Sequence, residues 1–79
     1  MKQKRYRIER TFTDFPKFDN RQFVKNMSLE YCKAMFQEFK SNAKSNGILP
    51  LYEDDVLLKF GKDHSIFGPV TFEIVQIKQ

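Results

Sequence analysis

Nine phenylalanines in 79 residues constrain this chain more than any other feature. They sit at Phe12, Phe15, Phe18, Phe23, Phe36, Phe39, Phe60, Phe67 and Phe72, joined by three tyrosines and no tryptophan. A short chain buries a small share of its surface, so its core must come from a few large apolar side chains. The rings therefore predict one core and one domain over residues 1–79, with residues 1–4 as a basic arm. They report packing, not an activity.

The spacing of the apolar residues predicts how that core is built. From Arg5 to Phe12 the pattern has period two: Tyr6, Ile8 and Phe12 share one face, and Arg5, Arg7, Glu9 and Thr11 the other. That reads as a half-buried strand. Arg10 interrupts the apolar face, either snorkelling at its edge or marking a bulge. Thr13 to Phe18 is an aromatic loop, because Pro16 cannot join a regular ladder.

Asp19 to Asn46 reads as helix. Asp19 with Gln22 makes a box-like cap, and Gly47 suits the position past the C-terminus. Leu29, Cys32, Phe36, Phe39 and Ala43 form one stripe, whereas Phe23, Val24, Met27, Tyr31 and Ala34 form another. One rod from 20 to 46 would be about 40 Å long, against about 27 Å for eight-residue strands. The mismatch predicts a break near 26–28 with Ser28 as a second cap, or else a long helix with a second face for a partner. Ile48 to Asp55 reads as a connection through Pro50. Val56 to Phe60 and Val70 to Val75 read as two strands in an antiparallel hairpin. The expected fold is α+β, ordered β-α-β-β: three strands with one helix on one face.

Charge is unevenly placed. Lys2, Lys4, Arg5, Arg7 and Arg10 face only Glu9 within the first ten residues, while nine basic and nine acidic residues cancel over the rest. The whole net charge of +4 lies on this segment. Such asymmetry fits an acidic or nucleic-acid partner. Lys2, Lys4, Arg5 and Arg7 would neutralise phosphates and Tyr6 would stack on a base. Yet no nucleic-acid recognition motif accompanies them. The alternative is pairing with Glu73 and with Glu53–Asp54–Asp55 across the sheet.

Two apolar features suggest protein contact. Phe12, Phe15 and Phe18 recur every three residues around Pro16; Phe12 and Phe18 are expected in the core and Phe15 outside it. Val75 and Ile77, with Leu57, fall on the strand face away from the helix. There they would form a homodimer or partner surface.

Catalytic chemistry is poorly provided. His64 is the sole histidine and Cys32 the sole cysteine, and Cys32 lies on the apolar helix stripe. No nucleophile–base pair is visible. Two such ligands are too few for zinc, and the acidic run matches no calcium loop. No catalytic, cofactor or metal residue is expected. A lone cysteine and the lack of an apolar leader or membrane-length run predict a soluble, cytoplasmic protein.

The expected function is a small non-enzymatic binding module acting by stoichiometric protein–protein interaction as a regulator, adaptor or inhibitor. The alternative is nucleic-acid binding through the first strand and arm. In its Lys/Phe/Asn/Ile-rich style and small size the chain resembles phage and mobile-element accessory proteins. That resemblance of style implies, within the first class, an inhibitor of a host machine.

Overall fold

A computed structural model describes residues 4–15, 22–62 and 68–77, with 22–25 described by their backbone alone. Its elements are β1 (Arg5–Phe12), β2 (Gln22–Met27), α1 (Leu29–Ser45), β3 (Pro50–Glu53), β4 (Leu57–Phe60) and β5 (Val70–Ile77). The strands form one antiparallel sheet in the order β2-β1-β5-β4-β3, with α1 packed on one face. The α+β class and the single helix match the sequence reading, as do strands at β1, β4 and β5 and the β4–β5 hairpin.

Two features of the structure differ from that expectation. The sheet has five strands rather than three, and the order is β-β-α-β-β-β rather than β-α-β-β. Residues 22–27 were expected to be helical but pair with β1, Tyr6 opposite Met27 and Ile8 opposite Val24, across two register irregularities. Six residues fit both helical and strand periods, so the pairing partner decides. Residues 50–53 were expected as connection but form an edge strand. Pro50 stands at its first position, one of the few places where a sheet tolerates proline.

The predicted break is where the strand ends. Asn26 takes a left-handed φ of 55°, which asparagine tolerates better than most residues. Ser28 is extended and its Oγ accepts the Tyr31 N–H at 3.1 Å, capping α1. The expected cap at Asp19 lies outside the described residues. At the other end Ile48 N–H donates to the Ala43 carbonyl at 2.8 Å and Gly47 N–H to that of Lys44 at 3.0 Å. This is a Schellman closure, and Gly47 supplies its positive φ of 74°.

The core gathers Ile8 and Phe12 from β1, Cys32 and Phe36 from α1, Ile48 from the link between α1 and β3, Leu58 and Phe60 from β4, and Val70 and Ile74 from β5. Leu29, Phe39 and Ala43 pack around it, so the first helical stripe is the buried one, while Tyr31 on the second is exposed. Rings link the two layers. Phe39 of α1 stacks on Phe72 of β5 at 4.6 Å between centroids, and Phe60 meets Phe72 edge-on at 6.4 Å. Arg10 lies among these inward residues with its guanidinium 5.2 Å from the Phe12 ring. Its register against β5 is unbroken, so no bulge toward β5 turns it away.

Candidate interaction face

Residues directly opposite in an antiparallel pair share a face. β1 and β5 run in unbroken register, with Ile8 opposite Ile74 and Phe12 opposite Val70 on the helix side. The intervening pairs therefore point away from the helix: Arg5 with Ile77, Arg7 with Val75, Glu9 with Glu73, Thr11 with Thr71. β4 adds Leu57 opposite Glu73 and Lys59 opposite Thr71. One outer face thus unites Arg5, Arg7, Leu57, Val75 and Ile77, and no described element lies over it.

Charges on this face are arranged differently from the expected cross-sheet pairing. Arg7 Nε donates to Glu9 Oε2 at 2.7 Å along its own strand. Glu73 faces Glu9, and Glu53 is taken by Lys40 Nζ at 2.6 Å on the helix side. The Arg7–Glu9 pair is partly buried but still reaches solvent, which limits its contribution to roughly 1 kcal/mol.

The remaining candidate residues do not join this face. Tyr6 is on the helix side, packed against the core between Met27 and Gln76. Lys4 is exposed just before β1, and Lys2 lies outside the described residues. Phe12 is buried at 4 % exposure, whereas Phe15 is 46 % exposed. Phe15 sits in the turn past the far end of β1, which runs about 23 Å from Arg5 to Phe12. Phe18 and His64 lie outside the described residues.

A second apolar surface escaped the sequence reading. Leu51, Tyr52 and Val56 are exposed, as is Leu49 just before β3. Leu49 and Leu51 with Gly47, Ile48, Gly61 and Lys62 line an open hollow of ≈ 280 Å³. Leu51 lies so close over Gly61 that a Cβ there would meet its Cδ1 at 3.0 Å. Leucines at 49 and 51 were a signal, masked by Pro50 and by the brevity of the strand.

The acidic run is mostly structural. Asp54 Oδ1 accepts the N–H groups of Val56 and Leu57 at 2.9 and 2.8 Å, and Oδ2 accepts the Tyr52 hydroxyl at 2.7 Å. These bonds, that from Tyr52 first, hold the Asp54 carboxyl below its ordinary range. The same bond pushes the Tyr52 hydroxyl up. A hollow of ≈ 270 Å³ beside this turn is lined by Lys33, Phe36, Gln37, Lys40 and the three carboxylates. With Glu53 on Lys40 and Asp54 tying the turn, it presents no paired acid and base. Among the described residues no three His, Cys, Asp or Glu side chains are grouped to hold a metal ion. Cys32 is buried in the core, which pushes its thiol up and away from the reactive thiolate. No described helix is long and apolar enough to cross a membrane.

Comparison with protein-family models, curated proteins and solved structures finds no match for this chain.

Proposed function

We propose that the protein is a non-enzymatic binding module that docks a protein partner on the outer face of its sheet. One observation carries this reading: the β1–β5 register puts Val75 and Ile77 beside Arg5 and Arg7, with Leu57 diagonal to Val75, on the face opposite the helix. An apolar strip flanked by arginine is the composition that concentrates energy in protein interfaces. Acting stoichiometrically, such a face would serve a regulator, adaptor or inhibitor.

The test is capture from native lysate after nuclease treatment, run beside a Val75→Asp/Ile77→Asp variant. Both side chains are off the core, so the variant should keep the parent's circular dichroism spectrum. A partner held by the parent and lost by the variant supports the face. Capture that ignores the substitutions rejects it.

Nucleic-acid binding is the second reading, favoured by the placement of partly buried Arg5 and Arg7 on one face next to exposed Lys4. Arg7 would have to leave Glu9 to contact a phosphate. Binding of this kind falls with salt at a log–log slope of about −0.9 per phosphate neutralised on duplex DNA. Failure to bind at about 50 mM salt ends this reading.

A further inference from the structure

The sheet ends at β3, and no described residue pairs with the outer edge of that strand. Alternate residues of an antiparallel strand direct their N–H and C=O groups away from the neighbouring strand. Proteins usually protect such an edge with charge or cover. Here the strand is short and carries Pro50, Glu53 and a bulge between Pro50 and Tyr52, yet Leu51 and Tyr52 remain 74 % and 49 % exposed. The edge is also polar end to end. Asp54 and exposed Asp55 follow its C-terminus, whereas Lys62, at the end of the antiparallel neighbour β4, lies by its N-terminus with Leu49.

We propose that β3 pairs antiparallel with β3 of a second copy of this chain. The charges select both occupant and direction. Antiparallel pairing sets the acidic end of each strand against the Lys62 end of the other, twice about a two-fold axis. Parallel pairing would set acid on acid. Leu51, in mid-strand, meets its counterpart with Tyr52 opposite Pro50 of the other copy, and Leu49 and its hollow receive the turn of the other copy. Because that axis stands perpendicular to the sheet, both helices fall on one side and both outer faces on the other. The result is a ten-stranded sheet with two docking faces side by side. This inference concerns a different surface from the proposed docking face and stands or falls without it.

A four-residue edge buries less than a standard interface, so the association is weak and concentration-dependent. Sedimentation velocity between about 10 μM and 1 mM should show a monomer–dimer equilibrium. Leu51→Lys should abolish it without loss of fold, since Leu51 is mostly in solvent. Asp55→Lys and Lys62→Glu should each weaken it about tenfold, because each change acts at both symmetry-related contacts. Combining the two should restore it. Val75→Asp/Ile77→Asp should leave it intact. A parent monomeric up to about 1 mM overturns the proposal, as does a dimer unmoved by Leu51→Lys. Single reversals that weaken the dimer but are not rescued together overturn the antiparallel register.

Discussion

β3 and β4 are the two arms of one hairpin, each four residues long and each half or more apolar, yet they have opposite fates. Leu58 of β4 is wholly buried and Phe60 is 4 % exposed; Leu51 of β3 is 74 % exposed. Residue type does not separate them. β4 has a strand on both sides, and its inward side chains belong to the same core cluster as Cys32 and Phe36 of α1. Among the described residues β3 has a strand on one side only, and a bulge between Pro50 and Tyr52 breaks its alternation. Burial is conferred by neighbours, so an apolar edge arm is a surface whatever its composition.

The most direct way to break this contrast is to truncate one leucine in each arm. Leu58→Ala should cost about 2–5 kcal/mol, the range for a leucine removed from a packed core. Leu51→Ala should stay within about 0.5 kcal/mol, as surface changes do. Urea unfolding at a concentration that keeps both proteins monomeric measures the two. Equal costs would mean that Leu51 is covered, and the contrast would fail.

The next effect concerns the link that delivers β3 to the edge. Gly47 closes α1 with a positive φ, and a Cβ there would meet nothing within 4 Å. The cost of Gly47→Ala is therefore purely conformational, about 1–2 kcal/mol for an alanine held in the left-handed region. Gly47→Asn should cost less, because asparagine tolerates that region. If both variants match the parent, the turn is not what fixes where β3 begins.

What the sequence disclosed follows the same division. Of the strands with two neighbours, β1 and β5 carry long period-two patterns and were legible to within two residues. β4 was legible too, since Leu58 and Phe60 alternate with Leu57 and Lys59. The helix stripe through Cys32 and Phe36 was legible, and the conflict between two stripes located the boundary at Ser28. The edge strands were not. β2 has Phe23, Val24 and Met27 at spacings that suit either a helix or a strand, and its pairing with β1 is non-local. β3 is too short for a period and begins with proline. The outer sheet face was legible because Val75 and Ile77 oppose Val70, Phe72 and Ile74 in a simple alternation. The edge cluster of Leu49, Leu51 and Tyr52 was hidden with its strand.

A smaller effect tests the clamp between the helix and the edge arm. Lys40 Nζ lies 2.6 Å from Glu53 Oε2, joining α1 to the last residue of β3. Both side chains are partly exposed, so a double-mutant cycle with Lys40→Met and Glu53→Gln should give a coupling of only about 0.2–1 kcal/mol. Salt should shrink it further. A coupling well above that range would show that β3 is held from the helix side as firmly as β4 is, and the two arms would differ less than their exposure suggests.

The smallest effect lies in the turn joining the arms, where local hydrogen bonds replace burial. Asp54 has its carboxyl lowered in the folded chain from an ordinary value of 3.8, through its bonds to Tyr52 and to the backbone of Val56. A lowered carboxyl contributes stability above its unfolded value and loses it as pH falls through the folded one. Tyr52 has the opposite sign: raised from 10.0, its contribution is present below that value and fades as pH rises through the folded one. Asp54→Asn keeps an oxygen for the N–H groups of Val56 and Leu57 but removes the charge that receives the tyrosine hydroxyl. The thermal midpoint of Asp54→Asn should therefore fall slightly below the parent's near neutrality. The gap should close on acidification past the unfolded carboxyl value and again in alkali as Tyr52 ionises. Both groups are exposed, so solvent screens the effect and the gap stays small. A gap that persists unchanged in acid would show that the turn is ordered by something other than this carboxylate, and that β3 owes its place to contacts of the kind that hold β4.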